Sequence, residues 1–199
     1  MGRNSGSGKG TKDGGGDYKG KISNVGPLVE MTDPQMYKAT KQAISRYHAV
    51  LGVRQREVKL ADFPGAYGVH VTADGKSKAV YLNRTHFNRG AKAVTREHSA
   101  NYTSGWSTRT NKPIAHTVTH ELAHATWNEH MAGANQVAAG KAIRTLYKKW
   151  MRDKKKTGYG KYAKTNVSEF WAETVTRAVH GKSDKYTTAV KKICRTYKL

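Results

Sequence analysis

The chain has 199 residues, with 36 Lys or Arg against 14 Asp or Glu, so its formal net charge is +22 at pH 7. This length allows one domain with a substantial core, and the charge exceeds what solubility requires and favours contact with polyanions such as nucleic acid. No apolar stretch is long enough to cross a membrane, and the single cysteine, Cys194, excludes an internal disulfide. We therefore expect a cytoplasmic protein, with association with a virion as an alternative.

The first 20 residues differ in composition from the rest. They are mostly Gly, Ser, Lys, Asp and Asn, and Tyr18 is their only large apolar side chain after Met1. Such a segment cannot bury enough surface to offset its conformational entropy, and it lacks the apolar run of a signal peptide. We predict a flexible basic tail over 1–20 and a folded domain over 21–199.

The first part of the domain carries helix and then strand signals. Asp33 and Pro34 predict a helix start, and the apolar stripe that follows ends at Gly52. Three runs then predict strands: 57–63, 67–72 and 79–83. The Asp-Gly pair between the last two predicts a hairpin. Residues 88–110 predict a loop with a short strand at 99–102.

The second part of the domain is mainly helical. Apolar periodicity predicts helices over four segments: 114–130, 135–152, 168–180 and 186–197. A basic, glycine-containing loop is expected at 154–161. The order of these elements predicts an α+β fold with a small mixed sheet.

A His-Glu-x-x-His motif lies inside the predicted helix at 114–130. His120 and His124 are four residues apart, so both imidazoles project from one helix face and can reach one zinc ion. Glu121 lies beside them and can take a proton from zinc-bound water. The motif also occurs by chance on solvated helices, but the apolar residues around it favour a buried helix and a zinc site.

Two residues compete for the place of the third zinc ligand. His130 has the spacing of the pattern HExxHxxGxxH, but Trp127 stands where that pattern has its turn-forming glycine. If the helix continues, His130 points elsewhere, and we expect it at the surface. Glu169 lies four residues before Glu173, so one carboxylate can bind zinc while the other accepts the N–H of a ligand histidine. Asn166 and Glu169 also fit a helix capping box, which leaves the role of Glu169 open.

Two segments together resemble a known family. His-Glu-Leu-Ala-His-Ala at 120–125 and Tyr-Ala-Lys-Thr-Asn-Val-Ser-Glu-Phe-Trp-Ala-Glu at 162–173 are similar to the peptidase domain of anthrax lethal factor and its relatives, which are gluzincin zinc peptidases. The first segment is common to many zincins, and the second is more specific. Ala123 stands where the family often has glycine. The sequence is too short to include the large substrate-recognition domains of lethal factor, so that protein's substrates do not carry over.

The resemblance implies a zincin-like metallopeptidase domain and a role for each matched residue. It implies three zinc ligands: His120, His124 and Glu169. It further implies Glu121 as general base, Tyr162 as the group that supports the oxyanion, and Glu173 as a carboxylate that holds a ligand histidine. A phenol can donate a hydrogen bond to charge that develops in the transition state, although Tyr159 is a nearby rival for this role.

Other polar and aromatic residues are expected to have structural roles. His116 lies four residues before His120 on the same face, so it could line the cleft, but at the helix start we expect it to support the site or to be solvated. Five histidines lack ligand spacing and are expected to be structural or at the surface: His48, His70, His86, His98 and His180. Three tryptophans are expected in the core: Trp106, Trp150 and Trp171. Cys194 is expected to be a small buried apolar group.

These features predict a zinc-dependent metalloendopeptidase with a protein or peptide substrate. Zincin substrates generally run along an edge strand beside the active-site helix, and 79–83 is our candidate for that strand. The basic charge predicts non-specific contact with nucleic acid and could direct the enzyme to nucleic-acid-associated proteins. The alternative is a basic nucleic-acid-associated or phage virion structural protein with a structural, non-catalytic zinc site.

Overall fold

The computed structural model of the chain describes residue 18 and residues 20–73, 76–131, 137–154, 158–181 and 183–199. Within these residues the fold is α+β, as the sequence predicts. Four strands form one sheet: β1 (Ser23–Gly26), β2 (Val58–Asp62), β3 (Gly68–Ala73) and β4 (Lys76–Asn83). The helices are α1 (Pro34–Leu51), α2 (Arg84–Phe87), α3 (Ala91–Thr103), α4 (Pro113–His130), α5 (Val137–Arg152), α6 (Val167–His180) and α7 (Lys185–Tyr197). None of the described helices is long and apolar enough to span a membrane.

Nearly all of the predicted tail at 1–20 lies outside the described residues. Tyr18 already contacts the domain, because its backbone N–H donates to the carbonyl of His70 (3.3 Å) and its ring lies 5.8 Å from that of Phe63. The chain therefore meets the sheet at Tyr18.

Helix α1 begins and ends where its capping residues predict. The carboxylate of Asp33 accepts the N–H groups of Gln35 (2.7 Å) and Met36 (3.3 Å), which would otherwise lack a partner at the helix start. Gly52 adopts a left-handed conformation, with φ of 67°, and ends the helix. The predicted start and end of this helix are confirmed.

The sheet has the strand order β1-β2-β4-β3. Strands β2 and β4 are parallel, while β1 pairs with β2, and β3 with β4, in antiparallel fashion. The predicted hairpin between β3 and β4 is confirmed, although the Asp-Gly pair at 74–75 lies outside the described residues. The prediction that 79–83 is the edge strand is wrong, because β4 is hydrogen-bonded to β2 on one side and β3 on the other. Strand β3 lies at the edge instead.

The prediction for residues 88–110 is also wrong. They contain the helix α3 rather than a loop with a strand at 99–102. Only Ala91 and Val94 are buried on this helix, and Gly90 precedes it without a side-chain cap. The apolar stripe and the cap that mark a helix in sequence are therefore both missing.

Helix α4 lies at the centre of the molecule, where α1, α6 and the β3–β4 hairpin pack around it. Its residues are buried on most sides, as expected for a helix without a solvated face. The indole N–H of Trp171 on α6 donates to the carbonyl of Ala123 on α4 (2.8 Å), which joins the two helices beside the His-Glu-x-x-His motif. Trp150 and Trp171 are buried as predicted, but Trp106 is 40% exposed, so its predicted core position is wrong.

Candidate metal centre

His120 and His124 on α4 meet Glu169 on α6. The Nε2 atom of His120 lies 3.0 Å from Nε2 of His124 and 3.1 Å from Oε2 of Glu169. Nε2 of His124 lies 3.2 Å from the same oxygen. A tetrahedral zinc ion with bonds of about 2.1 Å separates neighbouring donor atoms by roughly 3.4 Å. One zinc ion could therefore reach all three atoms.

The Nδ1 atoms of His120 and His124 have partners that favour zinc binding through Nε2. Nδ1 of His120 lies 3.1 Å from Oε1 of Glu173, and Nδ1 of His124 lies 2.9 Å from Oγ of Ser168. If each Nδ1 carries the ring proton, each Nε2 presents a lone pair. Two lone pairs and a carboxylate oxygen then face one another, and a cation between them removes the repulsion. Imidazole nitrogen and carboxylate oxygen are ligands that zinc accepts.

Glu169 reaches the histidines although it also takes part in a helix cap. The side chain of Asn166 accepts the backbone N–H of Glu169 (2.9 Å) at the start of α6. The carboxylate of Glu169, which is 1% exposed, is directed at the two histidines. The helix cap therefore uses only the backbone N–H of Glu169. The carboxylate of Glu169 can still act as a zinc ligand.

A second group of donor atoms lies behind the first. Nε2 of His116 lies 3.2 Å from Oε1 of Glu173, so one carboxylate oxygen contacts both His116 and His120. These three buried residues could also hold a metal ion. However, His120 could serve both groups only if it lost both ring protons, which favours a supporting role for His116 and Glu173.

Electrostatic interactions in this centre are strong because its charged groups are buried. Burial raises the pKa of Glu121 to about 7, partly opposed by His120 and His124. Burial also raises the pKa of Glu169, but the neighbouring His124 and His120 outweigh it and hold that pKa far below its usual range. The pKa of Glu173 is likewise lowered, since His116 and His120 outweigh burial. Burial disfavours charge on His120, yet its hydrogen bonds to Glu169 and Glu173 raise its pKa well above the usual value.

Tyr162, rather than its rival Tyr159, lies at this centre. The Tyr162 ring stacks on the ring of His120, with centroids 5.6 Å apart and an interplanar angle of 21°. The backbone N–H of Tyr162 donates to the carbonyl of Trp106 (3.0 Å), and the two rings lie 5.4 Å apart. Tyr159 instead packs against Trp150, with the guanidinium of Arg177 4.5 Å from its ring centre.

A cavity of about 390 Å³ opens beside His120 and Glu121. It lies between α3 and the first half of α4, and Tyr67, Trp106 and Tyr162 supply aromatic walls. Four residues of α3 line it: Val94, Glu97, His98 and Asn101. Sequence reasoning missed these residues, although their spacing is that of one helix face. Apolar periodicity did not reveal this helix face, because three of the four residues are polar.

Strand β3 touches the centre at Glu121. A Cβ atom added at Gly68, the first residue of β3, would lie 2.6 Å from Cγ and 2.9 Å from Cβ of Glu121. Only glycine lets the strand approach the helix this closely without a shift.

The remaining candidate residues lie apart from the donor atoms. Helix α4 continues through Trp127, and His130 at its end lies 3.4 Å from the carboxylate of Glu129 and outside both donor groups. This confirms the prediction that His130 points away from the two ligand histidines. Of the five histidines that lack ligand spacing, His86 and His98 line the cavity. Cys194 is buried as predicted, and burial raises the pKa of its thiol to about 12.

Comparisons with known proteins gave no match to a protein-family model, a curated protein or a solved structure. The geometry of the site is therefore the basis for assigning a function.

Proposed function

We propose that the chain is a zinc-dependent metalloendopeptidase with a zincin-like fold, as its resemblance to the gluzincins implies. The observation that carries this proposal is the convergence of His120, His124 and Glu169 to within 3.2 Å, with Glu121 on the same helix and a cavity beside it. Catalytic zinc sites use three protein ligands, whereas structural sites use four. Among the described residues, no fourth His, Cys, Asp or Glu joins this group. That count favours a catalytic site.

Zinc bound by these three residues would lower the pKa of a coordinated water and polarise the peptide carbonyl. Glu121 would accept a proton from the water as its oxygen attacks the carbonyl carbon. Glu121 would then give this proton to the amide nitrogen as the C–N bond breaks, so that a carboxylic acid and an amine leave. Tyr162, whose ring stacks on His120, would donate a hydrogen bond to the oxyanion.

The structure also suggests where a substrate would lie. Strand β3 replaces 79–83 as our candidate for pairing with the substrate backbone, because β3 is at the sheet edge and Gly68 touches Glu121. The pairing would use the Gly68 end of the strand, since Tyr18 already donates to the carbonyl of His70. The cavity beside Glu121 would take a side chain next to the cleaved bond. The net charge of +22 supports the proposal that substrates include proteins bound to nucleic acid.

Zinc stoichiometry and peptide cleavage test the proposal together. Wild type and His130→Ala should bind one zinc ion per chain, whereas Glu169→Ala should lose it. Glu121→Gln should keep zinc and lower cleavage of a peptide library, read by mass spectrometry, by about 10²- to 10⁴-fold. If His130→Ala loses zinc while Glu169→Ala keeps it, the ligand assignment is wrong.

The alternative is a structural zinc site in a basic nucleic-acid-associated or virion protein. It predicts that the zinc-loaded wild type cleaves no peptide in the library. Equal cleavage by wild type and Glu121→Gln would instead exclude the proposed general base.

A further inference from the structure

Helices α5 and α7 carry no acidic residue along their whole length. Their exposed cations are Lys141, Lys148, Lys149 and Arg152 on α5 and Lys185, Lys192 and Arg195 on α7. Lys141, Lys148 and Arg152 have the spacing of one helix face. Between the cations, the exposed positions include Thr145, Thr188 and Thr196, and hydroxyl groups can donate to phosphate oxygens.

The two helices form one continuous surface. They pack against each other, and their apolar sides, which include Ile143, Val190 and Cys194, belong to the main core. The ammonium of Lys185 lies 2.6 Å from Oδ2 of Asp153, directly after α5, so the start of α7 adjoins the end of α5. The outward sides of both helices are therefore neighbouring and cationic.

Several cations on these helices lie close enough to repel one another. Like charges four residues apart, such as Lys148 and Arg152, repel each other and disfavour the helix. Some cations elsewhere have acidic partners, as in Arg84–Glu30 (2.5 Å) and Arg89–Glu97 (2.6 Å). Within the described part of the chain, Lys148, Arg152 and Lys192 make no salt bridge. A partner that supplies negative charge accounts for such a surface.

We propose that the outward faces of α5 and α7 bind the phosphate backbone of a nucleic-acid duplex. From Lys141 to Arg152, a distance of 11 residue steps, the helix rises about 16 Å, which matches roughly five phosphates of one strand. Single-stranded nucleic acid is bound largely by stacking on exposed aromatic rings. On these two helices Tyr197 is the one exposed aromatic side chain among those that the structure describes, so the surface suits a duplex better. This inference is independent of the peptidase proposal.

Binding to a fluorescent DNA duplex, measured by anisotropy over a series of salt concentrations, tests the surface. The variant Lys148→Gln/Arg152→Gln/Lys192→Gln removes three cations from it. We expect an affinity lower by about tenfold or more, and a slope of log affinity against log salt that is smaller by about 3 units. The full-length chain is used without peptide substrate, so the result does not depend on hydrolysis.

The matched control, Lys92→Gln/Arg96→Gln/Arg109→Gln, removes the same charge from exposed positions on and after α3. It should keep both the affinity and the salt slope of wild type, and thermal unfolding should show that both variants are folded. Equal losses in the two variants would contradict the proposal, because binding would then follow net charge and not this surface. The proposal would also be overturned if Lys148→Gln/Arg152→Gln/Lys192→Gln lost binding to phosphatidylserine vesicles but retained binding to the duplex. That result would assign the surface to anionic membranes.

Discussion

At the residue scale, the direction in which His120 presents its Nε2 atom depends on what its Nδ1 atom contacts. Glu173 holds Nδ1 at 3.1 Å, and His116 contacts the same carboxylate oxygen at 3.2 Å. A carboxylate behind a ligand histidine fixes its tautomer and makes it a better ligand.

Glu173→Gln is therefore expected to weaken zinc binding by about 10- to 100-fold. An amide can still accept the N–H of His120, but it lacks the negative charge that stabilises the histidine as a ligand. Competition with a chelator of known affinity measures the effect. Glu97→Gln is the matched control, because Glu97 lines the same cavity but contacts Tyr67 and Arg89 instead of His120. Equal zinc affinity in both variants would remove Glu173 from the support of the site.

Sequence spacing identified the residues whose position follows from one helix alone. His120 and His124 share a face of α4 because they are four residues apart, and Glu169 and Glu173 share a face of α6 for the same reason. The place of Trp106 could not be predicted in this way. Its ring lies against Tyr162, from a distant part of the chain, and that contact depends on how the two loops meet.

At the scale of elements, the contact between β3 and α4 sets the position of Glu121. Gly68→Ala places a methyl group 2.6 Å from Cγ of Glu121, so either the strand or the glutamate must move. We expect kcat to fall by about 10²-fold, since a displacement of about 1 Å in a catalytic group has effects of this size. Zinc affinity should stay close to that of wild type, because Glu121 is not in the donor group. Steady-state kinetics and chelator competition separate the two effects.

Gly26→Ala on β1 provides the control for this substitution. A Cβ atom there would meet the exposed, movable carboxylate of Glu30 and nothing of the site. Its activity should therefore match that of wild type. A Gly68→Ala variant with unchanged kcat would show that Glu121 does not depend on the close approach of β3.

Helices α1 and α6, which have local end signals, were predictable, whereas α3, which lacks them, was not. Asp33 and Gly52 cap α1, and Asn166 and Gly181 bound α6, so their ends can be inferred from neighbouring residues. Helix α3 follows Gly90 and turns Glu97, His98 and Asn101 towards the cavity. A helix whose inward face is polar cannot be found from apolar periodicity.

At the scale of the whole molecule, the order of strands in the sheet could not be predicted from the sequence. Which strand lies at the edge depends on pairing between distant segments, such as Val58 with Val80, and alternation within a strand does not specify its neighbours. The α+β class was predictable because it needs only the order of elements. The distance between α4 and α6 was not predictable, because it depends on packing between two segments that are far apart in the sequence.

Removal of zinc tests how the metal centre and the whole fold depend on each other. The three proposed ligands join α4 to α6, so zinc should stabilise the folded state by about 2.7 kcal/mol at 100 times its Kd. For a chain of this size, chelation should lower Tm by about 5–11 °C. The zinc-free protein should still unfold cooperatively, because the main core includes residues of α1, α4, α6 and α7 that are far more numerous than the ligands. Glu169→Ala should show almost no change in Tm on chelation. Loss of helical circular dichroism in the zinc-free wild type would favour a structural zinc site and contradict an open catalytic one.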